Sequence, residues 1–98
     1  MPTKIPPTIG RLVWFHPSRN GIREGFHNCG DQPMAATVAY VHPGERLVNL
    51  SVIDHKGQQH PFSLVELVQD GEHPPMFNAW CEWMPYQIGQ AKANASTT

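Results

Sequence analysis

Residues 34 to 67 read MAATVAYVHPGERLVNLSVIDHKGQQHPFSLVEL, and this stretch decides the fold. Its middle alternates between apolar side chains, at Val48, Leu50 and Val52, and polar ones between them. A period of two residues is typical of a strand with one face in the core and the other towards water. We therefore expect the three apolar side chains to be buried.

Two short turn sequences divide this stretch. Residues 42 to 45 are His-Pro-Gly-Glu and residues 54 to 57 are Asp-His-Lys-Gly. Proline presets the φ angle of a turn, and glycine accepts a positive φ angle without a steric penalty. The sequence therefore predicts three consecutive antiparallel strands, at residues 35 to 42, 46 to 53 and 59 to 67.

The flanking sequence adds a strand on each side. Residues 10 to 16 form an apolar first strand that ends at a proline, and residues 18 to 33 form a long loop with three glycines. Residues 76 to 86 hold a last aromatic strand or a short helix. Five short strands are typical of a small barrel, which removes most of the exposed sheet edge.

We predict an all-β fold, a small SH3-like, partly open barrel of about five antiparallel strands. The expected organisation is an extended N-terminal arm over residues 1 to 9, a single barrel domain over 10 to 88 and a flexible, frayed tail over 89 to 98. An open antiparallel sheet with a C-terminal helix packed on it is the alternative.

Composition excludes several classes of function. The chain has 98 residues, 40% of them hydrophobic and 15% charged, with a net charge of -1. A protein that binds nucleic acid generally needs a basic surface to displace counterions, and this chain has none. No apolar run approaches the length of about 20 residues that a membrane-spanning helix needs. We therefore expect neither nucleic acid nor a membrane as a partner.

The candidate metal ligands and nucleophiles do not form a known pattern. Residues 27 to 29 (His-Asn-Cys) and Asp31 could bind zinc with Cys81 or His73, but the paired spacing of zinc fingers and ribbons is absent. No serine lies in a Gly-x-Ser-x-Gly motif, and there is no phosphate-binding loop. We predict no metal, no cofactor and no enzymatic activity.

The aromatic segment near the C-terminus suggests a binding surface. In a strand, Trp80 and Glu82 share one face while Cys81 and Trp83 share the other, so one tryptophan lies outside the core. In a helical turn the two tryptophans would instead be neighbours. An exposed ring of this kind suits a ligand pocket or an oligomer interface, although it could also close the end of the barrel.

Several motifs carry a resemblance to a known group of proteins. They are Gly-Arg-Leu-Val at residues 10 to 13, Val-Asn-Leu at 48 to 50 and the ending Trp-x-x-Trp-Met-Pro-Tyr-Gln at 80 to 87. Over residues 10 to 90 the chain resembles short phage and prophage accessory proteins of unknown function, whose first loop is shorter. The resemblance implies a viral protein, encoded by a bacteriophage and present in the host cytoplasm.

Two functions then compete. The first is a non-catalytic binding protein that sequesters a small host signalling nucleotide and so counters antiviral defence. The second is a structural module of the virion or a protein inhibitor of a host enzyme. A nucleotide needs a flat ring for its base and cations for its phosphate, so the predicted ligand-binding residues are aromatic or basic: Arg11, Trp14, Arg19, Arg23, Trp80, Trp83 and Tyr86.

The position of the site and the assembly can also be predicted. We expect a ligand to lie between the loop of residues 18 to 31 and the aromatic C-terminal segment, because the loop offers backbone amides and arginines. Nine aromatic side chains on a weakly charged chain of this length are more than a small barrel hides alone. The sequence therefore predicts a homo-oligomer.

Overall fold

The computed structural model describes residues 4–17, 32–76 and 78–96, with side chains as far as residue 93. The described chain forms five strands that close into a barrel in sequence order, followed by one helix. This confirms the predicted all-β fold of the SH3-like kind. The elements are β1 Leu12–His16, β2 Met34–Val41, β3 Leu47–Ile53, β4 Gln59–Val68, β5 Trp80–Glu82 and α1 Pro85–Ser96.

The three predicted central strands are confirmed. β2 pairs antiparallel with β3, and β3 pairs antiparallel with β4. Each turn contains a glycine with positive φ, 92° at Gly44 and 87° at Gly57. The second turn is held further by Asp54, whose Oδ1 accepts the N–H groups of Lys56 and Gln58 at 2.9 and 3.0 Å. Local sequence therefore sets both turns.

The barrel is fully closed rather than partly open. β1 pairs antiparallel with β2 on one side and with β5 on the other. β5 also lies parallel to the end of β4, where residues 66 to 68 pair with residues 80 to 82. Because the three residues of β5 bridge β4 and β1, this short strand completes the ring.

The core fills the inside of this barrel. Val48 and Val52 are fully buried and Leu50 is 2% exposed, as the alternation in β3 predicted. Every strand contributes inward side chains, and the arm adds one from outside the strands. The buried hydrophobic cluster comprises Ile5, Val13, Phe15, Met34, Ala36, Val38, Val48, Leu50, Val52, Val65, Leu67, Cys81 and Trp83.

The segment around β5 follows the strand alternation. Cys81 and Trp83 point into the core, with 0% and 1% exposure, whereas Trp80 and Glu82 are only partly buried. Trp83 therefore belongs to the core, and Trp80 is the tryptophan that lies outside it.

Helix α1 begins at Pro85, within the segment predicted to hold a last strand or a short helix, and continues to Ser96. Residues 89 to 96 are therefore helical, where a flexible tail was expected. Pro85 suits the first position of a helix, because its missing N–H would have no intrahelical partner there. The side chain of Gln87 reaches back, and its Oε1 accepts the N–H of Met84 at 2.8 Å. Ile88 and Ala91 then pack against the core. In the part of the chain that the structure describes, no helix is long and apolar enough to cross a membrane.

The N-terminal arm is docked on the barrel by one buried side chain. Gln69, 8% exposed, accepts the N–H of Ile5 at 3.1 Å through Oε1 and donates to the carbonyl of Ile5 at 2.9 Å through Nε2. The same Oε1 accepts the indole N–H of Trp83 at 3.2 Å. One carboxamide therefore joins the arm, the end of β4 and the segment after β5.

Replacing Gln69 with leucine should destabilise the protein strongly. The substitution leaves the two backbone groups of Ile5 and the indole of Trp83 without their partner, and we expect a loss of about 2 to 4 kcal/mol in the free energy of unfolding. Urea denaturation measures it. Gln58→Leu, at an exposed glutamine of the second turn, is the matched control and should change stability by less than about 0.5 kcal/mol. Equal effects of the two substitutions would contradict the role of Gln69.

The buried thiol of Cys81 should make stability fall at alkaline pH. Burial, with a smaller contribution from the charge of Glu82, raises the pKa of Cys81 from 9.0 to about 12. A folded-state pKa above the unfolded one gives a stabilisation that is complete below the unfolded pKa and is lost as pH rises towards the folded one. Stability should therefore decrease between pH 9.0 and about 12.

Cys81→Ala is the comparison for this pH dependence. The variant should be less stable at neutral pH because it leaves a cavity, but its stability should decline less steeply above pH 9.0. Denaturant unfolding of both proteins across that range measures the two slopes. Parallel slopes would show that the Cys81 thiol does not titrate on unfolding.

Candidate functional site

A cleft lies where the arm, the start of β1 and helix α1 meet. We call it the arm cleft; it has a volume of about 330 Å³ and is lined by Ile5, Arg11, Tyr86, Gln87, Gln90 and Ala91. Arg11 and Tyr86 are both predicted ligand-binding residues, and they come from opposite ends of the chain. The fold therefore brings a cation and an aromatic ring into one cleft.

Arg11 has no carboxylate partner among the described residues. Its guanidinium carbon lies 5.7 Å from the centre of the Trp83 ring, a distance at which a cation is attracted to an aromatic face. Arg46 and Lys92, in contrast, each lie within 4.0 Å of a carboxylate oxygen. Arg11 is therefore an oriented cation whose charge is available to an anion.

The first turn of α1 borders the arm cleft through Tyr86 and Gln87. Pro85 has no N–H, and the N–H groups of Gln87 and Ile88 both donate to the carbonyl of Met84. The N–H of Tyr86 has no acceptor among the described residues. The first turn also contains no acidic side chain that would offset the positive end of the helix dipole.

The two glutamines of the arm cleft differ in whether their carboxamides already have hydrogen-bond partners. Both ends of the Gln87 carboxamide are used, since Oε1 accepts from Met84 and Nε2 donates to the carbonyl of Leu12 at 3.0 Å. Gln90 is exposed and makes no hydrogen bond within the described part of the chain. Gln90 and the Tyr86 ring, which is 68% exposed, are therefore the side chains that remain free for a ligand.

A second cleft lies on the other side of α1 and has the opposite charge. This acidic cleft, of about 170 Å³, is lined by Trp80 together with Asp70, Glu72 and Glu82. Trp80 is already covered on one face by His16, whose ring is stacked on it at 4.1 Å between centroids. The described lining of this cleft includes three carboxylates and no lysine or arginine, so Trp80 does not join Arg11 in an anion site.

Two residues that line the acidic cleft, Trp80 and Glu82, hold the side chain of His16. Its Nε2 lies 2.6 Å from Oε2 of Glu82, and both side chains are about one-third exposed or less. His16 is the last residue of β1 and precedes a proline. Its stacking on Trp80 comes from the pairing of β1 with β5, which places the two residues opposite each other.

A third cleft lies beside an irregularity in β4, and its lining mixes apolar side chains with polar ones such as Ser63 and Glu66. It has a volume of about 300 Å³, and Leu47, Leu64 and Ala79 are among its lining residues. Leu64 has a φ angle of 56°, unusual for leucine, and its N–H donates to Oδ1 of Asn49 at 3.0 Å. This groove offers apolar contact area but no charge that would orient an anion.

The remaining predicted site residues lie elsewhere. The prediction that Trp83 contacts a ligand is corrected, because its ring is buried in the core and offers no free face for stacking. Trp14 is partly buried on β1, opposite Glu82 of β5, and does not line the arm cleft. Arg19 and Arg23, with the rest of the loop predicted to border the site, lie outside the described residues.

The described residues that were candidate metal ligands are not brought together. Cys81 is buried in the core and His73 is exposed. Residues 27 to 29 and Asp31 lie outside the part that the structure describes. Within that part, no group of three or more histidine, cysteine, aspartate or glutamate side chains is placed to hold a metal ion.

The sequence prediction missed Gln69 and Gln90, for different reasons. The partner of Gln69 is a backbone 64 positions away, and no local pattern indicates such a contact. Gln90 could have been found, because it follows Tyr86 by four residues and such residues are neighbours on a helix. The expectation of a tail after residue 88 concealed that relation.

Comparisons with known proteins add no relative. No protein-family model, no curated protein and no solved structure matches this chain. The geometry of the clefts therefore carries the functional argument.

Proposed function

We propose that this chain is a non-catalytic binding protein for a small anionic ligand with a flat ring, of the nucleotide class, and that the arm cleft is its site. The observation that carries the proposal is the meeting of Arg11, which has no carboxylate partner among the described residues, with the exposed ring of Tyr86. A base stacked on the ring and a phosphate on the guanidinium would use both.

Size and electrostatics support the same ligand class. A cleft of about 330 Å³ is at the lower end of the range for small-molecule sites. No acidic side chain of the described residues lines it, whereas three carboxylates line the cleft across α1. The arm cleft is therefore the better of the two for an anion.

The biological part of the proposal rests on the resemblance to phage proteins. We propose that the protein is made by a bacteriophage in the host cytoplasm and sequesters a signalling nucleotide of antiviral defence. The Cys81 thiol is buried in the core, and burial raises its pKa, so this thiol is protonated and is not a nucleophile. Chromatography of a nucleotide after incubation with the protein should recover it unchanged, and a new product would contradict the non-catalytic role.

Arg11→Ala should weaken nucleotide binding by about tenfold or more, because a hydrogen bond to a charged group contributes about 1.5 to 3 kcal/mol. Tyr86→Ala should weaken it as well, through the loss of the stacking face. Isothermal titration of the parent and of each variant with nucleoside monophosphates measures the change.

Arg46→Ala is the matched control, since Arg46 is an exposed arginine that pairs with Glu66 and does not line the arm cleft. It should bind like the parent. Thermal unfolding of each variant separates lost binding from lost folding, which matters because Arg11 also covers Trp83. Parent-like affinity of a folded Arg11→Ala would place the site elsewhere.

We also propose that the chain forms a homo-oligomer. Several large apolar side chains on the outer face of the sheet are exposed, among them Leu12 at 50%, Leu47 at 37% and Leu64 at 60%. Their contact with a second copy would remove this area from water. Light scattering should give a multiple of 11.0 kDa, and Leu64→Glu should lower the mass. A monomer mass for the parent at micromolar concentration would contradict the proposal.

A further inference from the structure

We infer that the ligand of the arm cleft is an adenine mononucleotide with one phosphate, and that Gln90 selects the base. This inference rests on the proposed function and makes it specific. It assigns a role to a side chain that lines the cleft and has no hydrogen bond among the described residues.

The first step is the relation of Gln90 to Tyr86. The two residues are four positions apart within α1 and both line the arm cleft. Side chains at this spacing are neighbours on one face of a helix, about 5 to 6 Å apart at their Cβ atoms. A base stacked on the Tyr86 ring would therefore present an edge within reach of the Gln90 carboxamide.

The second step is the chemistry of that edge. A carboxamide offers one acceptor and one donor side by side, which matches N6 and N7 of adenine. Guanine presents two acceptors, O6 and N7, on the equivalent edge, and these suit an arginine instead. Gln87 cannot compete for this role, because Met84 and Leu12 already occupy its carboxamide.

The third step concerns the number of phosphates. Among the described residues Arg11 is the single lysine or arginine that lines the arm cleft, so one phosphate satisfies the charge present there. Each further phosphate would add negative charge without a matching cation in the cleft. Three carboxylates of the protein also lie on the other side of α1. The cleft volume of about 330 Å³ also suits one nucleotide rather than two.

The test is isothermal titration of the full chain with AMP, GMP and ATP. We expect AMP to bind at least about tenfold more tightly than GMP, as one well-matched bidentate contact provides. ATP should bind no more tightly than AMP. Gln90→Ala should bring the AMP and GMP affinities to within about twofold, and Gln90→Arg should reverse the preference, because its fork matches O6 and N7.

Each outcome decides something. Parent affinities for AMP and GMP within twofold, or an unchanged ratio in Gln90→Arg, would overturn the role of Gln90 while leaving nucleotide binding intact. Tighter binding of ATP by tenfold would overturn the single-phosphate ligand. Binding of none of the three nucleotides would overturn the inference and the proposed function together. Gln90 is exposed on α1, and circular dichroism should show that both variants keep the parent fold.

Discussion

The hydrogen bonds of the Gln69 carboxamide are the constraint on which the rest of the structure depends. A buried amide group without partners is costly, so Gln69 is compatible with the core only when the arm and Trp83 are both in place. The arm supplies a backbone N–H and C=O, and the indole supplies one N–H. Folding therefore brings the arm and the segment after β5 together at the same side of the barrel.

The position of Trp83 connects this constraint to the candidate site. Its N–H is held by Gln69 and its ring is the surface over which Arg11 lies. Ile5, held by the same carboxamide, lines the arm cleft. The site consequently has no independent scaffold, because its cation and one wall are placed by contacts that also close the end of the barrel. Gln69, outside the site, thus helps to place one wall of the cleft and the ring beneath Arg11.

A contact could be predicted from the sequence when the residues that make it are close together along the chain. The strands from residue 34 to residue 68 could be predicted because their alternation and turns are local. The parallel pairing of β5 with β4 and the docking of Ile5 could not, since both join segments distant in sequence. Arg11 and Tyr86 were chosen for their chemistry alone, and only the fold shows that they meet.

The extent of the helix could not be predicted because of its composition. The same composition explains why the clefts on its two sides differ in charge. Residues 87 to 93 contain few large apolar side chains, so they lack the stripe that marks a packed helix. Among its described side chains, only Ile88 and Ala91 pack against the core. The helix is also held by the bond of Gln87 to Leu12 and by Lys92, which lies 3.3 Å from Asp70. The first contact fixes the turn that carries Tyr86 at the arm cleft, and the second directs a lysine towards the acidic cleft.

Because α1 is anchored in this way, it separates an arginine-lined cleft from one lined by three carboxylates. The charge of the second cleft acts across the helix and disfavours an anion there, and its effect weakens with salt. Under the proposed function, an anion would bind on the side where Arg11, Tyr86 and Gln90 lie, since the described lining of the other cleft includes no lysine or arginine. The polar composition that concealed the helix in the sequence is what lets its two sides carry different chemistry.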